Sequence, residues 1–490
     1  MRSTEPIGLL LMRILAIDQG TSATKALVVD DGLVVAEAEV AVHPVADADG
    51  GVTQEADELW QSVLTSGHRA LDAAVTSVGG SAVPDAIGIA NQGETVLAWH
   101  PTTLEPIGPA LSWQDRRSVR VCDERRAQGA RLSEITGLSL DPYFSAPKMR
   151  WLRDQLGPGP RIATSDTWLV QNLCGAFVTD ASTASRSLLL DLDTLEWSAE
   201  ACDIFGVDRA SLPAVVDNDA IVGMTGAFGG AVPVTGLCVD QQAALWAQGC
   251  AQAGDAKCTY GTGAFLLAST GSRPVRSANG LVACVAWRLD GEPSWCLDGQ
   301  VYTVGSAVSW LERMGFIDSP SDLDRIGGSV DSSNGVVFVP ALAGLGAPFW
   351  APGARGSLTG LSLSCERAHV VHAVVDGIAA QVAWLCRAVE SDLGVPLTAL
   401  RVDGGLTRSR LLLQLQADLA QIPIEVHSSR NATALGVAAL AARALGGPAS
   451  VAPSKPAEII DPSISAVEAT ERLARWCQAA DAAVVMSHDR

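Results

Sequence analysis

Asp18-Gln19-Gly20-Thr21-Ser22-Ala23-Thr24-Lys25 is the stretch on which the reading of this chain turns. It follows an apolar run, Ile14-Leu15-Ala16-Ile17, and leads into another, Ala26-Leu27-Val28-Val29, which ends at Asp30-Asp31-Gly32. Two short apolar runs joined at Gly20 predict a β-hairpin. A glycine turn exposes backbone N–H groups that can hold phosphate oxygens. The hydroxyls of Thr21, Ser22 and Thr24 add polar contacts, and the Asp18 carboxylate suits a hard cation such as Mg2+. An ordinary polar turn carries the same letters, so other segments must decide.

The pattern recurs in altered form roughly 240 residues later, as Lys257-Cys258-Thr259-Tyr260-Gly261-Thr262-Gly263-Ala264-Phe265-Leu266-Leu267-Ala268. Strand, Gly/Thr turn and strand suggest two related domains, each presenting a phosphate-binding turn to one cleft. Chance similarity of Gly/Thr turns is the competing reading. No G-x-x-x-x-G-K-[ST] run occurs, so a Walker loop is not the phosphate grip.

Composition narrows the classes. A chain of 490 residues exceeds what one core supports, and two large domains are expected, divided as 1–250 and 251–490. With 48% hydrophobic and 18% charged residues the chain is globular, and its alternation of apolar runs with Ala/Leu-rich segments predicts α/β architecture. A net charge of −20 argues against nucleic acid, which selects clustered cations. It does not argue against ATP, which backbone donors and a metal hold locally. Eleven scattered cysteines without a C-x-x-C pair indicate neither zinc nor a disulfide framework, which fits a reducing cytoplasm. No run reaches the uninterrupted apolar length of a membrane span. Ile7 to Met12 continues toward the first strand rather than a cleavage site, so a signal peptide is not expected. Met12 is an alternative start to Met1, which would make the first eleven residues a loosely held extension.

Further along, strands are predicted at Ala86 to Ala90, Val96 to Trp99, Gly236 to Val239, Arg401 to Asp403 and Pro423 to His427. Helices are predicted around Met149 to Leu156, Asp166 to Leu173, Ala243 to Gln252, Arg367 to Leu393, Arg408 to Gln421 and Thr433 to Leu445. Several strands end in polar turns: Asn91-Gln92-Gly93-Glu94-Thr95, Asp240-Gln241-Gln242 and Asp403-Gly404-Gly405.

Taken in order, these motifs resemble the FGGY family of carbohydrate kinases over nearly the whole chain, and most closely its glycerol-phosphorylating members. The resemblance also runs through Trp113-Gln114-Asp115-Arg116-Arg117, Asp141-Pro142-Tyr143-Phe144-Ser145, Asp166-Thr167-Trp168-Leu169 and Gly344-Leu345-Gly346-Ala347-Pro348. Two family signature patterns are echoed in Tyr143 to Leu152 and Gly356 to Asp376. It implies an α/β fold of two actin-like, ribonuclease-H-like ATPase domains flanking a deep cleft, in which ATP and a polyol or sugar meet. A homodimer accords with the family, although no residue in the sequence demands one.

The resemblance assigns Asp240 as general base, accepting the acceptor's hydroxyl proton during phosphoryl transfer. An aspartate after a strand is also a common helix cap, and only the motif context favours the base. Asp18 would position Mg2+. Thr21, Ser22 and Thr262 would grip phosphates, Lys25 would offset γ-phosphate charge, and Gly261, Gly305 and Gly405 would line the nucleotide pocket. Glu94, Trp113, Tyr143, Asp240, Gln241 and Phe265 would form the acceptor pocket, polar groups meeting hydroxyls and rings meeting carbon faces.

Three departures matter. Ser409 and Ser309 stand where the family carries an asparagine and a glutamine near adenine, which puts those contacts in question. Gly226 to Pro233 lacks the arginine of the family's fructose bisphosphate loop, so that regulation is not expected. Gly93 replaces the arginine of Asn-Gln-Arg-Glu-Thr, removing a guanidinium from the acceptor pocket. The expectation from Gly93 is weakened glycerol binding, with space for a larger polyol or ketose. The competing activity is a xylulose- or ribulose-type pentulose kinase. Alternatives of another class are an actin-like chaperone or a silent sugar sensor.

Overall fold

The computed structural model describes residues 12–447 and 455–488. The expectation about the first eleven residues lies outside them. Two mixed sheets organise the chain. The first has the order Gly223–Thr225, Val232–Val239, Ala86–Asn91, Arg13–Gln19, Ala23–Asp30, Leu33–Ala41. The second runs Val282–Leu289, Glu292–Val301, Ala264–Gly271, Ala256–Tyr260, Leu400–Asp403, Ile424–Val426, Glu458–Ile460.

The repeat is visible in the registers. Arg13–Gln19 pairs antiparallel with Ala23–Asp30 and parallel with Ala86–Asn91, placing Asp18 opposite Lys25 on one side and Ala90 on the other. Ala256–Tyr260 pairs antiparallel with Ala264–Gly271 and parallel with Leu400–Asp403, placing Thr259 between Phe265 and Asp403. Each hairpin therefore begins a ribonuclease-H-like sheet. A third, five-stranded sheet built from Val45–Ala46, Val52–Gln54, Ala110–Leu111, Val96–Trp99 and Arg161–Thr164 is inserted into the first half.

Alternation along Arg13–Gln19 explains the layers. Leu15 and Ile17 join a core with Leu59, Val63 and Ala70 of helix Ala56–Val78. Ile14 and Ala16 face the other way, into a core shared with Ala434, Val437 and Ala441 of helix Ala432–Ala444. That helix comes from the second half of the chain yet packs on the first sheet. The approach is close because the sheet carries glycines there. A Cβ on Gly88 would stand 2.5 Å from the Val437 carbonyl oxygen, and one on Gly236 2.9 Å from the Ala441 nitrogen. Leu267, Cys284 and Cys296 from the second sheet join the same core, so the halves are cemented by apolar burial worth about 1.5–3 kcal/mol per large side chain.

Helix Arg367–Leu393 is long and apolar enough to cross a membrane by length and composition, but 83% of that stretch is buried inside the molecule. It starts with a capping box between Glu366 and His369 and stops at Gly394, which is left-handed with φ 68°. Three helices start two or more residues away from their predicted bounds. The helix expected at Ala243 to Gln252 runs Asp240–Ala247. It starts earlier because Asp240 itself is its first residue, where a carboxylate complements the helix dipole, and it stops before the positive-φ turn at Gly249. The helix expected from Arg408 begins at Arg410 because the Ser409 side chain caps it, accepting from the Leu412 N–H. The helix expected near Met149 begins at Ser145, since Pro147 falls in a first turn that needs no N–H donor.

Candidate active site

Three parallel strands of the first sheet, Arg13–Gln19, Ala86–Asn91 and Val232–Val239, end at one edge and deliver Asp18, the Asn91 to Thr95 turn and Asp240 to it. Open α/β sheets bind ligands outside these carboxyl ends. The second sheet delivers its Gly261-Thr262 turn and Gly404-Gly405 in the same way.

In the first hairpin the Gly20 N–H closes the turn on the Ala23 carbonyl at 3.1 Å. The Thr21 hydroxyl accepts from the indole N–H of Trp113 at 2.8 Å, tying the turn to an aromatic wall. Ser22 is exposed at the tip. Lys25 donates to Asn431 at 3.2 Å and pairs with Glu39 at 3.7 Å, so its amine bridges to the loop before helix Ala432–Ala444. The second turn is braced by the start of helix Gly305–Arg313: Gly305 N–H donates to Gly261 at 3.1 Å and Val304 N–H to Thr262 at 3.0 Å. A Cβ on Gly305 would meet the Gly261 oxygen at 2.7 Å, which explains glycine there, and Thr262 remains exposed.

Asp240 accepts from the backbone N–H of Gln241 at 2.7 Å and from its side-chain amide at 3.2 Å. Burial pushes the Asp240 carboxyl up, and the nearby Lys257 ammonium opposes that shift. Lys257 is fully buried on strand Ala256–Tyr260 and donates to Gln241 Oε1 at 2.5 Å and Thr259 Oγ1 at 3.0 Å. Burial, reinforced by the charge of Asp240, pushes the Asp18 carboxyl up to about 7. A divalent cation held by Asp18 would favour its ionised form. Among the described residues no group of three or more His, Cys, Asp or Glu side chains forms a protein-only metal cage.

The aromatic wall adjoins the first hairpin turn, where Trp113 meets Thr21. Trp113 meets Tyr143 edge-on at 5.7 Å and Phe265 at 5.8 Å, bringing together the inserted region and the second hairpin. The Tyr143 loop is held from beneath by Lys148, fully buried, whose ammonium donates to the carbonyls of Pro142, Tyr143 and Phe144. Glu94 is buried and ion-paired with Arg186. Its carboxyl is raised by burial and held back by that guanidinium.

Models of the N-terminal and C-terminal domains of the FGGY family of carbohydrate kinases match residues 13–247 and 256–445. The chain belongs to the FGGY family of carbohydrate kinases. Membership makes it an ATP-dependent sugar or polyol kinase with the two-domain α/β fold. A glycerol kinase of Alkalilimnicola ehrlichii is 41% identical, with 96% of this chain and 98% of that protein covered. One of Thermus brockianus is 42% identical, with 87% and 88% covered. The solved Plasmodium falciparum glycerol kinase with ADP superposes with a TM-score of 0.87 at 31% identity, covering 97% of this chain and 98% of that one. A xylulose kinase from Lactobacillus acidophilus, at 19% identity over 96% and 98% of the two chains, shares the fold with a TM-score of 0.86.

In this FGGY kinase the residues expected at the acceptor fall into two contact groups: Glu94, Tyr143, Trp113 and Phe265 are linked through Arg186 and the ring cluster, and Asp240 and Gln241 are joined to Lys257. The nucleotide-side residues are more dispersed in their roles. A Cβ on Gly405 would meet open space, whereas one on Gly404, with φ 96°, would collide with the Tyr260 backbone. Ser409 is buried, its hydroxyl committed to Asp324 at 2.5 Å, and Ser309 is exposed.

Arg186, Lys257 and Asp298 escaped the sequence reading. Arg186 stands alone among small residues after Ala181-Ser182-Thr183-Ala184-Ser185, and Lys257 is a lone cation at the head of an apolar strand. For Arg186 the available signal is an isolated cation with no opposite charge within four residues; Lys257, two residues after Asp255, and Asp298 carry no such mark.

Proposed function

We propose that this kinase transfers the γ-phosphoryl group of ATP to a terminal hydroxyl of glycerol or a closely related polyol. What supports this reading is that strand Val232–Val239 leads into Asp240 at the sheet edge where Asp18 and the Asn91 to Thr95 turn also emerge, that Asp240 accepts from Gln241, and that Trp113 packs on Tyr143 and Phe265. The 37–43% identity of relatives named glycerol kinase supports glycerol over other acceptors.

In this mechanism the acceptor lies with its carbons against Trp113 and Phe265 and its hydroxyls toward Glu94 and Tyr143. Asp240 takes the proton of the attacking hydroxyl as the new O–P bond forms and the bond to ADP breaks, and the proton later leaves to water. Mg2+ bound at Asp18 would neutralise phosphate charge. Thr21, Ser22, Lys25 and Thr262 supply the remaining contacts to phosphate, and Gly305, Gly405 and Ser409 border the nucleoside. A division at residue 250, a cytoplasmic location and a homodimer belong to the same proposal.

The competing acceptor is a pentulose, favoured by the absence of a side chain at Gly93. ADP release measured over glycerol, erythritol, ribitol, xylitol, xylulose and ribulose decides between them, glycerol being the expected best substrate. Asp240→Asn should lower turnover by about 10²–10⁴-fold with ATP affinity retained. Retained turnover in that variant would remove Asp240 as the base.

A further inference from the structure

Gly93 raises a question that its own position answers. Its φ is 73°, a conformation disfavouring any side chain, so residue 93 does not place a functional group in the pocket. Another residue does. A Cβ built on Gly93 would stand 4.0 Å from both Cδ and Nε of Arg186. Arg186 follows the short helix Ala181–Ala184, which is anchored by the buried Asp180 accepting from the Ser182 and Thr183 N–H groups.

The Arg186 side chain is only 3% exposed and uses its whole fork. Nε donates to Glu94, Nη1 to Asp298 Oδ2 at 2.6 Å and Nη2 to the Tyr143 hydroxyl at 3.2 Å. The guanidinium lies 5.7 Å from the Tyr143 ring centroid. It therefore grips two polar members of the acceptor pocket, Glu94 and Tyr143. Two carboxylates share this one cation, and Asp298 Oδ1 and Gln300 Oε1 beside it are buried without a hydrogen-bond partner. Buried acceptors left in that state call for a donor, as a polyol hydroxyl or water supplies.

We propose that Arg186 is the specificity-determining positioning residue of the acceptor site, supplying through Glu94 and Tyr143 the guanidinium that residue 93 cannot. The inference rests on Glu94 and Tyr143 lining that site. Glycerol recognition is thereby preserved on a different element of the fold, and Asp298 is the partner that orients the fork. Lysine cannot replace it, because an ammonium is a point donor on a flexible stem and lacks the planar fork that is aimed at Glu94, Asp298 and Tyr143 together.

Steady-state kinetics of the full chain test this with Arg186→Lys, Asp298→Asn and Gly93→Arg, following the KM for glycerol, the KM for ATP and kcat separately. Arg186→Lys should raise the glycerol KM about tenfold or more, with the ATP KM within about twofold. Asp298→Asn should shift the glycerol KM in the same direction by less. Gly93→Arg should lower kcat/KM for glycerol, because it sets a second guanidinium beside Arg186 on an unfavourable backbone. An improved kcat/KM in Gly93→Arg overturns the inference. So does an Arg186→Lys enzyme that raises both KM values equally or leaves the glycerol KM unchanged. If the unaltered enzyme phosphorylates no polyol, the pocket assignment itself falls and takes this inference with it. Glycerol turnover with an indifferent Arg186→Lys rejects the inference alone.

Discussion

The Lys257 ammonium donates to the side-chain carbonyl of Gln241 at 2.5 Å, so a buried cation from the second sheet holds the residue that in turn holds Asp240. Asp240 must be ionised to accept a proton. Burial raises its pKa and Lys257 lowers it, so removing the ammonium should raise it further. Lys257→Met is expected to move the acidic limb of the pH–rate profile to higher pH, with activity lost more severely at pH 6 than at pH 9. An unmoved limb would mean that Lys257 serves only packing.

The Trp113 to Thr21 hydrogen bond joins the proposed acceptor wall to the proposed phosphate turn. Trp113→Phe keeps a ring against Tyr143 and Phe265 but deletes the N–H donor. One such bond is worth about 1 kcal/mol, so kcat/KM for ATP should fall by roughly fivefold. Thr21→Val removes the other partner, and the double variant should lose less than the sum of the two. Strict additivity would show that the bond does not couple the sites.

Asp166 is buried, one of its oxygens lacks a partner, and burial next to Asp180 pushes its carboxyl up to about 7. The folded state keeps a proton that the unfolded chain releases near pH 4. Its contribution to stability is thus fully present below pH 4 and lost as pH rises to about 7, amounting to roughly 4 kcal/mol at most. Asp166→Asn should flatten the decline in urea midpoint between pH 5 and pH 8. The slope will not vanish, because Asp18, Asp180 and Glu94 are raised in the same direction. An unchanged slope would show that Asp166 is ionised in the fold.

Helix Ala432–Ala444 sits so close to helix Asp240–Ala247 that a Cβ on Gly436 would come 2.0 Å from the Ala243 carbonyl oxygen. Gly436→Ala must push the helix that begins with the proposed base. A loss of about 1–3 kcal/mol in stability is expected, together with a lower kcat. Full activity would show that the helix start is insulated from this packing.

Local chemistry was legible wherever neighbours in sequence are neighbours in space. Asp18 to Lys25 and Tyr260 to Phe265 fold as hairpins because a glycine turn between two apolar runs needs nothing distant. Helix starts were misplaced where a side chain rather than periodicity sets the end, as with Asp240 and Ser409. Gly93 is legible in the sequence as a missing guanidinium, but the nearness of Arg186 to it is not, because the two lie more than ninety positions apart.

The sequence by itself thus determined the two-hairpin α/β plan, the family and the set of polar turns, since each is written in a short stretch with its own steric and hydrogen-bonding logic. Only the tertiary structure decided what stands behind those turns. Arg186, Lys257 and Asp298 acquire meaning when separate strands and a short helix bring a cation and its partners into one buried space. The physical reason is that a charge can be buried only against its complement, and that pairing is settled by the fold rather than by order along the chain.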